Sequence, residues 1–267
     1  MIRLGSVTSL STIDGNSFAS PGLSRPQDDI GPSAVSPAQN KGVGCGPDGC
    51  PRGLNWDYDR NELLTDGIVH VIGLGFAIIG LAVMTSLSWP LANDGSTWAL
   101  VVYGAGLAAM LGFSAAYNLW PVGPVKWRLR RLDHSAIFVF IAATYTPLIF
   151  HLKSDLTTAF TLAGVWTVAL LGVLLKVFLP GRFDRSSIAL CLLLGASGAF
   201  LYEPALATLP GVSLWLIALG GAIYASGIVF HLWDGLRFQN AIWHSFVLTA
   251  AMCHYAAILC CRLPIGT

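Results

Sequence analysis

Seven apolar stretches divide the chain after residue 60: about 64–88, 96–119, 134–151, 157–179, 187–203, 211–232 and 241–261. Each is near the ~20 residues that a helix needs to cross ~30 Å of hydrocarbon. In lipid every backbone N–H and C=O must be satisfied within the protein, and only helices or closed barrels achieve that. Runs this long and continuous are helical, not alternating, so the expected fold is all-α: an integral membrane protein with a seven transmembrane helix bundle. The breaks carry turn or charge signals, among them Trp89-Pro90 to Gly95, Pro121 to Arg131, Lys153 to Asp155, Pro180-Gly181, Pro204 to Pro210 and Asp234 to Gln239. Charged residues make up 11% of the chain, against roughly 25% in soluble domains. The 15 basic and 14 acidic residues leave a net charge of +1, which suggests no nucleic-acid surface. Membrane lipids are the expected partners, in the plasma or inner membrane of the cell.

The distribution of the basic residues sets an orientation. Thirteen of the fifteen lie before the first stretch, between Lys126 and Arg131, between Lys176 and Arg185, and at Arg237; Lys153 and Arg262 remain for the opposite side. By the positive-inside rule the N-terminus is expected in the cytoplasm and the C-terminus outside, which requires an odd number of spans. Residues 1–60, rich in Ser, Gly, Pro, Asn and Asp without an apolar period, read as a flexible cytoplasmic tail, and residues 61–267 as the membrane domain. The start has no continuous apolar run of a secretory signal, so the first span is expected to direct insertion and stay in place. Cys45 and Cys50 could clip a metal or form a redox pair, though no second Cys or His pair lies nearby; the other four of the six cysteines sit in apolar stretches as small hydrophobes, and mostly reduced thiols are expected.

Polar groups inside the spans then decide the functional question, because hydrocarbon tolerates them only when they are paired or used. With this topology Glu62, Asp66 and His70 open the first span, Ser114 and Asn118 close the second, Asp133 and His134 open the third, His231 closes the sixth, and Asn240 and His244 open the seventh. All fall at one end of the bundle. Asp66/His70, Ser114/Asn118 and Asn240/His244 are i, i+4 pairs, the spacing that puts two side chains on one helix face. Each also has a structural reading. Glu62 and Asp66 can complement a helix dipole, Asp133 can be an N-cap, His231 and Trp233 can anchor at the interface, and His254 can be a hydrogen-bonded core residue. Pro147 within TYTP is expected to kink the third span, with Thr144 and Thr146 satisfying freed backbone groups. Glycines in the first, second and sixth spans, Gly75, Gly106, Gly220 and Gly221 among them, let helices approach closely.

Five pieces, NELLTDGIVHVIG (61–73), SAAYN (114–118), RLDHSAIFVFIAATYTP (131–147), GGAIYASGIVF (220–230) and NAIWHSFVLTAAMCHYAA (240–257), together resemble the hemolysin III family, within the progestin and adipoQ receptor superfamily. The resemblance covers the membrane domain from Glu62 to Ala257 and implies a seven-helix bundle with an internal N-terminus. It also implies a zinc site near the cytoplasmic side, held in better-studied relatives by a histidine ending span two in a Ser-x-x-x-His pattern and by a His-x-x-x-His pair opening span seven. An aspartate and a serine stand beside the water on that zinc, and such relatives resemble lipid amide hydrolases such as alkaline ceramidases. Ser114, Asp133 and His244 match this pattern; Asn118 and Asn240 stand where the other two zinc histidines belong.

A neutral amide is a weak zinc donor, so one histidine would not hold the ion. Either the metal has been lost, or His70, His134, His231 and Asp133 supply an altered set with His244. Three readings follow: a metal-dependent lipid amide or ester hydrolase using Asp133 and Ser114, a metal-free member of the fold with a structural, lipid-sensing or receptor-like role, and, third, a pore, against which stands the absence of a continuous polar face along the spans.

Overall fold

In a computed structural model, residues 58–88, 96–152, 155–179, 183–233 and 235–262 are described. The expected tail and the Cys45/Cys50 pair lie outside them, apart from Tyr58, Asp59 and Arg60 at the tail's end. The described residues form eight α-helices: α1 (Arg60–Ser88), α2 (Ser96–Leu119), α3 (Pro124–Phe150), α4 (Leu156–Phe178), α5 (Asp184–Ala196), α6 (Tyr202–Thr208), α7 (Gly211–His231) and α8 (Gln239–Arg262). A 3₁₀ turn over Ser197–Leu201 joins α5 to α6, so these form one span, and seven helical segments are long and apolar enough to cross a membrane. Large apolar side chains such as Ile72, Ile78, Trp98, Phe160 and Leu193 point outward, as expected where the surrounding solvent is lipid.

Two spans differ from the sequence expectation. The third begins at Pro124, ten residues before the expected 134, with proline in the first turn where its missing N–H costs nothing. Its basic run is helical because the charges find partners. Lys126 Nζ donates to the Tyr117, Asn118 and Trp120 carbonyls at 2.9, 3.1 and 3.0 Å, closing the end of α2. Asp133 therefore lies in the third turn of a helix, buried, and is not an N-cap. Pro147 also sits within α3. Thr144 and Thr146 donate to the carbonyls of Phe140 and Ala142, so neither takes up Ala143, the acceptor that proline frees. The fifth span runs from Asp184 to Thr208 and absorbs Pro204 into the first turn of α6.

The helices pack in the order α4, α3, α2, α1, α8, α7, with α5 set against α3 and α4, and α6 touching α7 only weakly. A core of Met84, Tyr103, Leu107, Phe140, Tyr255 and Ile258 fills the junction of α1, α2, α3 and α8. Close approach depends on small residues at two seams: a Cβ on Gly106 would lie 2.6 Å from the Ala143 Cβ, and one on Gly220 2.7 Å from the His254 ring. Gly75 and Gly221, by contrast, face open space.

Between α3, α5, α7 and α8 remains a cavity of about 1560 Å³, reaching from Asp59 and Asn240 at one end of the bundle to Leu209 and Leu214 at the other. Apolar side chains line most of its length and polar ones gather at the first end. Contacts between helix ends define that end. The start of α1 meets the start of α8, the start of α3 meets the end of α2, and the start of α5 meets the end of α4.

Candidate metal centre

Asp59 and Glu62 fix the first turn of α1. The Asp59 carboxylate accepts from the backbone N–H groups of Asn61 and Glu62, and Glu62 Oε2 accepts from Asp59 N–H, a reciprocal cap. The Glu62 N–H bond holds the Asp59 carboxyl below the usual carboxylate range, assisted by Arg237 at 3.2 Å. Glu62 Oε1 also accepts from Phe238 N–H at 2.9 Å. Phe238, left-handed at φ 60°, turns the chain into α8. One carboxylate thus ties the starts of α1 and α8 together and sets the register in which Asp66 and His70 face His244.

These three residues meet. Asp66 Oδ1 lies 2.6 Å from His244 Nδ1 and Oδ2 lies 3.5 Å from His70 Nε2, with the two imidazole centroids 4.5 Å apart. Asp66 and His70 are each 5% exposed. One ligand atom from each of the three falls within 4.8 Å of the others. His70 Nε2 is buried without a hydrogen bond, a costly condition for an imidazole nitrogen unless something occupies its lone pair or takes its proton.

On the other side of His244, Asn118 Nδ2 donates to the Ser114 carbonyl at 2.9 Å and lies 3.5 Å from His244 Nε2. Because the amide presents N–H, Nε2 accepts, so in the metal-free chain Nδ1 carries the proton and donates it to Asp66, and an ion shared by Asp66 and Nδ1 would take that proton's place. Here the expected zinc set does not fit. At position 118 an N–H donor points where a metal cation would stand, and the Asn240 amide lies against the Tyr58 hydroxyl. Burial raises that phenol above its ordinary value, and the bond to Asn240 partly offsets the rise. The chemistry that does fit a metal is the carboxylate and two imidazoles of Asp66, His70 and His244.

The remaining expected residues divide. Ser114 hydrogen-bonds the Asp133 carboxylate, and Asp133 is within electrostatic reach of both His70 and His244. All but Asp66 of this group line the large cavity, so the two imidazoles form its wall while the carboxylate braces them from behind. His134 and His231 are not part of the cluster. His134 packs edge-on to Tyr117 and lies near Arg130, Lys176, Asp184 and His231, whose ring stacks on Trp243 at 4.7 Å. His254 approaches the Ile217 carbonyl at 3.3 Å and packs on Tyr224, a core histidine. The sequence places Asp66 in the polar cluster, on one helix face with His70, but its dipole reading keeps it out of the expected ligand set. Its i, i+4 pairing with His70 was the one signal that could have placed it in the ligand set.

Fold and site together define a multi-pass helical membrane protein with a carboxylate–imidazole cluster buried at one end of a seven-span bundle. The chain belongs to the haemolysin-III related family, whose profile matches residues 59–255. It is 36% identical over 214 residues to the hemolysin-3 homolog of Bacillus subtilis (strain 168), spanning 78% of this chain and 98% of that one. Hemolysin-3 of Bacillus cereus is 31% identical over 204 residues, 76% of this chain and 93% of the relative. The monocyte to macrophage differentiation factor of Homo sapiens is 31% identical over 193 residues, 68% and 76%. These similarities bear out the resemblance read from the five motifs.

Proposed function

We propose that Asp66, His70 and His244 hold one divalent transition-metal ion, with zinc the best match to two imidazoles and a carboxylate, and that the chain hydrolyses an amide or ester of a lipid lying in the cavity. The observation that carries this reading is the convergence of three metal-ligating side chains whose two imidazoles line an apolar cavity, one of them with a buried nitrogen that makes no hydrogen bond. An ion held there would polarise a carbonyl and make water nucleophilic at neutral pH. The protein's own residues do the rest. Asp133, held by Ser114, accepts the proton of the attacking water, and the apolar walls exclude bulk water. The concentration of basic residues at this end of the bundle favours the cytoplasmic side for it.

Elemental analysis of protein purified without a metal-affinity tag, beside His70→Ala and His244→Ala, tests the first half. About one zinc per chain, lost in both variants, is expected. Turnover of amide- and ester-linked lipids tests the second. A chain that binds no metal and whose turnover survives His244→Ala and Asp133→Ala would end the proposal.

A second reading is favoured by one contact, the Asn118 amide nitrogen on His244 Nε2. There Asn118, Ser114 and His244 form a metal-free polar core joining α2 to α8, as hydrogen bonds between spans do. It predicts that Asn118→Ala lowers thermal stability in detergent and changes no activity.

A further inference from the structure

The cavity has a second polar feature that the metal cluster does not use. Arg130 on α3 and Lys176 on α4 are 9% and 5% exposed, and both turn to the same carboxylate at the start of α5. Arg130 Nη2 lies 2.8 Å from Asp184 Oδ2 and Lys176 Nζ 2.6 Å from Asp184 Oδ1. Phe183, left-handed at φ 62°, turns the chain so that Asp184 begins the helix there. Arg130, Lys176 and the exposed Arg185 carry three positive charges at this end of the cavity against the two carboxylates of Asp184 and Asp133, so one positive charge is left over. Arg185 and Ser187 of α5 line the cavity beside them, and His134 lies within electrostatic reach. Arg130 is also one helical turn from Asp133, which faces the metal cluster.

We propose that this end of the cavity binds the phosphodiester headgroup of a monoanionic lipid, Arg130 and Lys176 holding the phosphate while the acyl chains follow the apolar walls. A single negative charge balances the cluster. The donors come from α3, α4 and α5 and are not arranged as one planar fork, which suits a tetrahedral phosphate better than a planar carboxylate. A cavity of about 1560 Å³ exceeds what a headgroup alone would fill. The inference names a substrate class for the hydrolytic site and so rests on that reading, but it concerns binding and is tested without turnover.

The purified chain in neutral detergent is titrated with phosphatidylglycerol, phosphatidylcholine, oleate and inorganic phosphate, and retention is read by native mass spectrometry. Phosphatidylglycerol is expected to be held about tenfold more tightly than phosphatidylcholine, since both offer the phosphodiester to Arg130 and Lys176 but the choline cation adds a positive charge to an already positive cluster. Inorganic phosphate and oleate are expected to be held more weakly than phosphatidylglycerol. The triple variant Arg130→Gln/Lys176→Gln/Asp184→Asn removes both cations with their partner, strands no charge, and should bind the two phospholipids alike. His244→Ala, which removes a proposed metal ligand, should keep the preference, so loss of the metal and loss of the headgroup site are separate outcomes. Equal retention of the two phospholipids by the wild-type chain, an unchanged preference in a folded triple variant, or a stronger hold on oleate or free phosphate would each overturn the inference. If the triple variant does not fold, the wild-type ratio alone decides.

Discussion

Replacing Asp66 by Asn changes one atom in the cluster and separates its two roles. The side chain keeps its shape, and its amide oxygen can still accept from His244 Nδ1–H, now 2.6 Å from the carboxylate. Without metal, the loss is the difference between a charge-assisted and a neutral hydrogen bond, about 1 kcal/mol. For a domain of this size that lowers the unfolding midpoint by roughly 2–4 °C. With metal the difference grows. A ligand at a hundredfold excess over its dissociation constant stabilises by about 2.7 kcal/mol, or roughly 5–10 °C on the same scale. The wild-type chain should gain that shift on titration with zinc after chelation, and Asp66→Asn should gain almost none because an amide is a poor zinc ligand. Thermal unfolding in detergent, with zinc and with chelator, measures all four midpoints. A wild-type chain indifferent to zinc, or an Asp66→Asn variant with an equal shift, would refute the assignment of Asp66, His70 and His244 as ligands.

Lys126→Met leaves the Tyr117, Asn118 and Trp120 carbonyls without their shared donor, and should lower stability by about 3 kcal/mol in detergent unfolding while loosening the end of α2 that carries Asn118. Gly172→Ala places a methyl 2.5 Å from the buried Phe138 ring, so overpacking should cost about 1–3 kcal/mol by the same measurement. Asp155 caps α4, and the Thr158 N–H bond holds its carboxyl below the ordinary range. Its contribution is therefore fully present above the unfolded pKa of about 4 and is lost as pH falls through the lower folded value. The midpoint difference between wild type and Asp155→Ala should shrink on acidification through that window.

The spans were legible because lipid demands length and apolarity of each segment independently of its neighbours. Where a segment depended on a distant partner, the sequence misled. The basic run from Lys126 to Arg131 reads as a loop, yet it is helical because Lys126 is absorbed by the end of α2 and Arg130 by Asp184. Pro204 reads as a break, yet the first turn of a helix tolerates it. At the site, polarity and depth brought His70 and His244 forward, but also His134, which lies near Arg130, Lys176 and Asp184, and His231, which packs on Trp243. Asp66 was the opposite case. It stands near a helix start, where a dipole explains an acid, and its partner His244 is 178 residues away.

That exchange of partners has a consequence that can be tested by restoring the two missing histidines. In the wild-type chain, Asp66 is proposed to bind metal directly, while His244 Nε2 faces the Asn118 amide. Asn118→His with Asn240→His would bring two imidazoles toward Nε2 and leave Nδ1 on Asp66. The carboxylate then becomes an outer brace that orients a ligand, a role whose loss weakens metal binding by about 10–100-fold without abolishing it. Adding Asp66→Asn to the restored chain should therefore leave about one zinc per chain at saturating concentration, with lower affinity. The same substitution in the wild-type background should leave none. If both backgrounds lost zinc alike, Asp66 would be a ligand in each and the restored histidines would not form a site. If neither lost it, His70 and His244 would suffice, and the wild-type ligand set proposed for Asp66 would be wrong.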